Sequence, residues 1–155
     1  MHIIDQRLQS LELVLPECTR AAGNYRPTLI NGGILYLSAQ VPLINGSLEY
    51  PGKVGLDLTP QQGYEAARLA ALNVLAHIRE QTDHWRRFDT LLRVDGYVSS
   101  AEGWVQQPQV LDGASDLFSE VLAEQGLHTR MAVACSQLPM NASVELVVTA
   151  AITAG

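Results

Sequence analysis

Two charged residues near the C-terminus stand out as candidates for chemistry. Arg130 is the only Lys or Arg after Arg93, and Glu145 is the only acidic residue after Glu124. Both lie in alternating, strand-like sequence rich in Val, Ala, Leu and Met. Such an arginine forms a structural ion pair, snorkels to the surface, or binds an anion through its planar guanidinium. A carboxylate that shares its site could move protons.

The chain is acidic and carries no stripe of basic residues. Sixteen Asp and Glu residues stand against ten Lys and Arg, so the net charge is −6. Nucleic-acid-binding proteins typically cluster Lys and Arg, because each phosphate they neutralise releases a counterion. The densest basic spot, Arg86-Arg87, lies between Asp83 and Asp89. We therefore expect no nucleic-acid partner, and an anionic small molecule would have to be held by a local cation.

Cysteine and histidine spacing predicts neither a disulfide nor a metal site. Cys18 and Cys135 are far apart and belong to no CxxC or His-rich motif, which favours free thiols in a reducing compartment. The sequence contains no Walker, GxGxxG or GxSxG motif, and we expect no cofactor. The longest apolar stretch, Leu146 to Ala151, is too short to span a bilayer, and the N-terminal residues show no basic-plus-apolar signal pattern. A cytoplasmic protein without a membrane partner is expected.

The length of 155 residues predicts a single domain, residues 1–155, that buries about two-thirds of its unfolded surface. Residues 1–12 have no clear periodicity and form either a strand or an added N-terminal arm. Further on, the turn residues Asn31-Gly32-Gly33 predict a hairpin between strands 28–30 and 34–41. A second turn is predicted at Asn45-Gly46.

The remaining pattern predicts two helices and three strands. A long helix over residues 61–81 should be capped by Thr59 and begin with Pro60. The other expected elements are a strand over 91–99, a helix over 113–125 ended by Gly126, and strands over 130–138 and 143–153. This order is typical of an α+β fold with both helices on one face of a mixed sheet.

The last strand predicts self-association. Residues 144–152 are apolar on both faces, whereas a sheet with one solvated face should alternate. Because the helices cover only one side, the other side needs a second cover. We expect that cover to be another copy of the chain, in a homo-oligomer.

Several short motifs, in this order, resemble the Rid/YjgF family, formerly called endoribonuclease L-PSP. They are Gly23-Asn24-Tyr25-Arg26-Pro27, Tyr36 to Pro42, Asn73-Val74-Leu75, His128-Thr129-Arg130, and Leu138-Pro139 followed by Val144-Glu145. The resemblance implies a chorismate-mutase-like fold and trimers with ligand clefts between subunits. It also implies hydrolysis of enamines and imines, such as 2-aminoacrylate, to a keto acid and ammonia.

The resemblance also assigns candidate site residues. Arg130 matches the position that holds the substrate carboxylate, and two parallel charge-assisted hydrogen bonds would suit that role. Glu145 matches the family's carboxylate, expected to handle protons with a nearby water. Tyr25 and Ser38 match positions that line the cleft, although an ordinary loop tyrosine and strand serine are the simpler interpretations.

Three positions in the expected binding site depart from the family pattern. Ala132 stands where a cysteine is frequent, and Ala39 stands where the Ser-Gly-Gln motif has glycine. Asp112 occupies a position that is commonly asparagine, and it could instead cap a helix before Gly113. These differences bear on the substrate more than on the fold.

A simple hairpin of the last two strands would separate the two charged residues. Glu145 would then lie opposite Ser136, six residues from Arg130, or roughly 20 Å along the strand. Either these strands are not hairpin partners, or the site combines Arg130 of one subunit with Glu145 of another.

Three functions therefore remain open on the sequence. The first is a deaminase of small carboxylated enamines and imines, and the second is a non-catalytic trimer that binds a small anion. The third, a ribonuclease, is disfavoured by the acidic charge.

Overall fold

The computed structural model describes residues 1–155. Its elements are three α-helices and seven strands, with short 3-10 turns at 123–126 and 139–141. The bounds are α1 Ile3–Ser10, β1 Thr28–Asn31, β2 Ile34–Leu37, β3 Leu43–Ile44, β4 Ser47–Leu48, α2 Pro60–Gln81, β5 Phe88–Ser99, α3 Gln107–Leu122, β6 Thr129–Cys135 and β7 Val144–Ile152.

Five strands form one mixed sheet in the order β1, β2, β7, β5, β6. Neighbouring strands are antiparallel except β5 and β6, which run parallel. Helices α2 and α3 pack against each other and against the same face of the sheet. The predicted α+β fold with a mixed sheet is confirmed, with three helices where the sequence predicted two.

Helix α2 begins as predicted. The Thr59 side chain accepts the backbone N–H of Gln62, and the Gln62 side chain accepts the backbone N–H of Thr59, at 3.1 and 2.9 Å. This reciprocal cap satisfies two donors at the helix start, and Pro60 lacks the N–H that would otherwise be unpaired there. The buried stripe of the helix is rich in alanine, which lets the helix lie close to the sheet.

Helix α3 begins at Gln107, six residues before the predicted start. Pro108 lies in the first turn, where proline is compatible with a helix. Gly113 is therefore inside the helix, and a Cβ there would lie 2.0 Å from the carbonyl oxygen of Tyr64 on α2. The glycine thus permits close contact between the helices. The helix ends at Leu122 with Ala123 as its C-cap, so the predicted cap at Gly126 is wrong.

The N-terminal segment is a helix, which the sequence did not indicate. Ile4 and Leu8 of α1 belong to the hydrophobic core. The Asp5 carboxylate accepts hydrogen bonds from Arg79 Nε at the end of α2 and from the buried Trp85 Nε1, each at 2.9 Å. These contacts fasten α1 to the helical layer.

Glycine-containing turns shape the N-terminal half of the chain as predicted. Gly32 and Gly33 connect β1 to β2 with φ of 59° and 77°, values that glycine adopts without strain. Asn45 and Gly46 join β3 and β4 in the same way, with φ of 50° and 80°. Beyond Leu37 the chain rejoins β7 through Gln40, which exchanges two backbone hydrogen bonds with Leu146.

Strands β6 and β7 are not hairpin partners, because β5 lies between them. Strand β7 alternates between buried residues facing the helices and half-buried residues on the opposite face, which we call the open face. Homo-oligomer formation through the open face stays a prediction. None of the helices is both long and apolar enough to cross a bilayer.

Candidate active site

Arg130 on the edge strand β6 forms an ion pair with α3. Its Nη1 lies 2.8 Å from Asp112 Oδ1 and 3.1 Å from Ser115 Oγ. Asp112 and Ser115 are one helical turn apart and therefore share one face of α3. Ala132, two residues along β6, lies on the same side and packs against the core. We call Arg130, Asp112, Ser115 and Ala132 the arginine cluster.

A second row of hydrogen bonds orients the arginine cluster. His128 Nδ1 lies 2.6 Å from the Gly126 carbonyl, so this nitrogen carries the proton. His128 Nε2 can then accept from the Ser115 hydroxyl at 2.9 Å, and Ser115 Oγ accepts from Arg130. The His128 ring also packs edge-on against Phe118, with ring centroids 5.8 Å apart. The guanidinium is thus held by neighbours that are themselves fixed.

One edge of the Arg130 guanidinium makes no hydrogen bond within the chain. Both protein contacts use Nη1, which leaves the Nε and Nη2 donors available. The Arg130 side chain retains 24% of its accessible surface. Those two parallel N–H groups match the spacing of a carboxylate's oxygens. Asp112 therefore positions Arg130 without using the edge suited to bidentate binding.

Glu145 lies in a different place, a cleft of about 320 Å³ on the open-face side of β7. The cleft is lined by Tyr25, Ser38, Ala39, Gln40, Met140 and Glu145, among others, and we call it the glutamate cleft. Ser38 and Ala39 reach it because Gln40 pairs with Leu146, the residue after Glu145. Burial raises the pKa of the Glu145 carboxyl, so it keeps its proton to higher pH than an exposed glutamate.

The two polar residues predicted for this cleft already have backbone partners. The Ser38 hydroxyl donates to the Arg26 carbonyl at 2.6 Å, which leaves its oxygen lone pairs as acceptors. The Tyr25 hydroxyl accepts the backbone N–H of Ala22 at 3.0 Å and retains its own proton for donation. Tyr25 is half exposed and forms one wall of the glutamate cleft.

Within one chain the arginine cluster and the glutamate cleft are separate. Arg130 pairs with Val94 of β5, and Glu145 pairs with Tyr97 on the other side of β5. Their Cα atoms are separated by two strand spacings across the sheet and by three residues along the strands, which together give a distance of roughly 14 Å. The offset of three is odd, so the two side chains point to opposite faces of the sheet. One small ligand cannot touch both.

The structure therefore divides the seven residues named from the sequence into two groups. Arg130, Asp112 and Ala132 come together on the helix side, and Glu145, Tyr25, Ser38 and Ala39 come together on the open-face side. The interpretation of Asp112 as a helix cap is wrong, because Asp112 lies inside α3 and binds Arg130.

Sequence reasoning missed Ser115 and the orienting role of His128. The signal for Ser115 was its spacing of three residues from Asp112, but that spacing is informative only once α3 is known to begin at Gln107. No local pattern indicated that Met140 would line the glutamate cleft, where it has a positive φ of 62°.

Comparison with known proteins agrees with this architecture. Residues 5–152 match the family described as "YjgF/chorismate mutase-like, putative endoribonuclease". The chain is 34% identical over 140 residues to Protein TCP17 of Trypanosoma cruzi, covering 90% of this chain and 88% of that protein.

Two crystal structures are close in both sequence and fold. A "putative endoribonuclease" from Shewanella oneidensis is 35% identical with a TM-score of 0.93, covering 97% of this chain and 99% of that one. The protein Atu1372 from Agrobacterium tumefaciens, of unknown function, is 36% identical with a TM-score of 0.91, covering 97% and 93%. The chain belongs to the YjgF/chorismate mutase-like family, also known as the Rid family.

Proposed function

We propose that this protein hydrolyses small enamines or imines that bear a carboxylate, releasing a keto acid and ammonia. The observation that carries the proposal is the free Nε and Nη2 edge of Arg130, held in place by Asp112 and Ser115. Two parallel N–H donors of this kind suit a carboxylate, and the contacts of Nη1 fix their direction within the chain. Membership in a family known for imine deamination supports the reaction type.

Arg130 would bind the substrate carboxylate through two parallel hydrogen bonds. Each charge-assisted bond contributes about 1.5–3 kcal/mol, which is enough for one arginine to select acidic substrates in an acidic protein. Binding would place the imine carbon at a fixed distance from the guanidinium. The attacking water and the departing nitrogen must then lie on the side away from Arg130.

Glu145 would exchange protons with the water and the nitrogen. Water adds to the C=N carbon to give a carbinolamine, the C–N bond then breaks, and ammonia leaves as the C=O bond forms. The carboxyl donates a proton to nitrogen and recovers one from the attacking water, so it is unchanged after one turnover. Its raised pKa suits this exchange, because the protonated form persists closer to neutral pH.

The two groups can act on one substrate only if they come from different chains. We propose that the arginine cluster of one subunit faces the glutamate cleft of its neighbour in a homotrimer. The half-buried open face of β7 provides apolar surface for such an assembly. A cyclic trimer would form three equivalent sites of this kind.

Mixed oligomers test the shared site. Arg130→Ala and Glu145→Gln chains are refolded together in equal amounts, and subunit mixing is verified by native mass spectrometry. If each site combines two chains, random mixing leaves roughly a quarter of the sites intact, although neither variant is active alone. If both residues act from the same chain, no intact site forms and no activity returns.

A second mixture provides the control for refolding losses. Wild-type chains are mixed equally with the Arg130→Ala/Glu145→Gln double variant. A shared site predicts roughly a quarter of wild-type activity per chain, and a site within one chain predicts roughly a half. A result near one half would overturn the shared site.

Turnover itself is tested by coupling to a dehydratase that releases 2-aminoacrylate. Faster keto-acid formation that is lost in Arg130→Ala supports catalysis. An unchanged rate together with measurable binding of a keto acid would instead support the second candidate, a non-catalytic trimer that binds a small anion. That candidate rests on the same free edge of Arg130. The acidic net charge of −6 argues against ribonuclease activity.

A further inference from the structure

A cysteine, a histidine and a glutamate come together between the N-terminal loop and helix α2. Cys18 Sγ, a ring nitrogen of His77 and a carboxylate oxygen of Glu80 all lie within 4.8 Å of one another. Cys18 comes from residues 11–27, which contain no helix or strand, and the other two are one turn apart on α2. The group brings together three metal-binding atom types from two distant parts of the chain.

One ring nitrogen of His77 is bonded to Thr19, and the other makes no hydrogen bond within the chain. Gln40 donates from its amide nitrogen to the Ser38 carbonyl, so its Oε1 accepts the Thr19 hydroxyl proton at 2.8 Å. The Thr19 oxygen can then only accept from His77 Nε2, 2.9 Å away. This arrangement places the ring proton on Nε2 and the lone pair on Nδ1. Metal-binding histidines are commonly fixed in this way by a partner on the second nitrogen.

We propose that Cys18, His77 and Glu80 form a binding site for a divalent transition metal of the zinc class. Thiolate, imidazole and carboxylate are all ligands that Zn²⁺ accepts, and around tetrahedral zinc such atoms lie roughly 3.3–3.8 Å apart. The three atoms of this chain lie within 4.8 Å of one another, and rotation of the exposed Glu80 side chain can bring its carboxylate to such a separation. Cys18 and Glu80 line a cleft of about 490 Å³, together with Glu17, Arg79 and His84.

The ligand types explain why a cation is favoured. A thiolate and a carboxylate would bring two negative charges to a divalent ion, and a neutral imidazole would complete the protein ligands. Because a thiol binds a metal as the thiolate, metal binding would displace the Cys18 proton.

Metal binding would cross-link the long N-terminal loop to α2. Thr19 follows Cys18 directly, and its hydroxyl is bonded to Gln40, a residue of the glutamate cleft. Tyr25, another residue of that cleft, lies seven positions after Cys18 in the same loop. The site would therefore fix the loop that forms one wall of the glutamate cleft.

Cobalt titration of the untagged, full-length, chelator-treated protein tests the proposal. We expect one equivalent of Co²⁺ per chain, with a thiolate-to-cobalt charge-transfer band and release of one proton. Cys18→Ser should abolish the band and weaken Co²⁺ binding at least tenfold, and Glu80→Gln should weaken binding about tenfold while keeping the band. Cys135→Ser, which removes the other free thiol, should behave as wild type.

Three results would overturn the site. One is the absence of a thiolate band in the wild-type protein. Another is loss of the band in Cys135→Ser instead of Cys18→Ser. The third is equal Co²⁺ affinity in wild type, Cys18→Ser and Glu80→Gln, which would mean adventitious binding by surface histidines. Both substitutions are close to isosteric and lie outside the core, and circular dichroism checks that each variant remains folded.

Discussion

Replacing Asp112 with asparagine should tighten the binding of a carboxylated substrate. Asp112 holds Arg130 Nη1 at 2.8 Å, and its negative charge therefore lies close to the place where the substrate carboxylate would bind. Asparagine keeps an oxygen in the same position, so the hydrogen bond that positions Arg130 is retained. The substitution removes only the charge.

The expected size follows from Coulomb's law. With hydrogen bonds of about 2.8 Å on either side of the guanidinium, the two carboxylates would be roughly 6–7 Å apart. Asp112 keeps 50% of its side-chain surface exposed, so solvent screens the interaction strongly. An effective dielectric constant of about 40–80 gives a repulsion of about 0.6–1.4 kcal/mol. That corresponds to a KM about three- to tenfold lower in Asp112→Asn.

The variant Asp112→Ala distinguishes the effect of the Asp112 charge from the effect of Asp112 on the position of Arg130. Alanine also removes the charge, but it leaves Ser115 as the one side chain of α3 that is hydrogen-bonded to Arg130, so the guanidinium loses orientation. We expect kcat/KM to fall in this variant while it rises in Asp112→Asn. Because the repulsion is electrostatic, the difference between wild type and Asp112→Asn should shrink as salt is added.

The assay is steady-state hydrolysis of an enzymatically generated imino acid at low and high ionic strength. An unchanged or raised KM in Asp112→Asn would refute the assigned geometry, because the substrate carboxylate would then lie elsewhere. A fall in KM with a substrate lacking a carboxylate would also contradict the reasoning. In that case the effect of Asp112 could not be charge repulsion.

Three further predictions concern the two halves of the site and the helix contact. Arg130→Lys should lower kcat/KM about 10- to 150-fold, because a lysine cannot replace the second of two charge-assisted bonds; near-normal kinetics would rule out bidentate binding. Glu145→Gln should lower kcat about 10²–10⁴-fold. Burial raises the pKa of Glu145 in the folded protein above its value in the unfolded chain. The contribution of Glu145 to the free energy of unfolding is therefore fully present below the unfolded-state pKa and is lost as pH rises through the folded-state pKa. Glu145→Gln cannot ionise, and chemical denaturation should show it to be more stable than wild type at pH 7 but not at low pH; equal pH profiles would contradict this. Gly113→Ala should cost at least about 1–3 kcal/mol in the free energy of unfolding, because the new Cβ would meet the Tyr64 carbonyl at 2.0 Å. Gly23→Ala, whose Cβ would meet only the Tyr25 ring at 3.6 Å, should be nearly neutral, and equal effects of the two would contradict the contact.

Local sequence predicted most elements of the fold because their signals are local. The Thr59 and Pro60 start of α2 depends on backbone donors within one turn, and the Gly32-Gly33 and Asn45-Gly46 turns depend on allowed φ values. The start of α3 was predicted wrongly because a glycine at position 113 is typical of a helix boundary. Glycine is needed at this position because the backbone of Tyr64, which is distant in sequence, lies so close to it.

The N-terminal helix was missed for a similar reason. Its stability comes from burial of Ile4 and Leu8 and from the bonds of Asp5 to Arg79 and Trp85. None of these partners is close in sequence, so the segment has little helical signal of its own. Short helices owe most of their stability to such tertiary contacts.

The sequence by itself determined which residues could do chemistry, because an isolated Arg130 and an isolated Glu145 are visible in an apolar background. Only the tertiary structure decided how they are arranged. The insertion of β5 between β6 and β7, with an odd register offset, places the two side chains on opposite faces. Strand order and register depend on contacts between distant segments, which no local pattern records. The same is true of Cys18, which meets His77 and Glu80 only after the chain has folded.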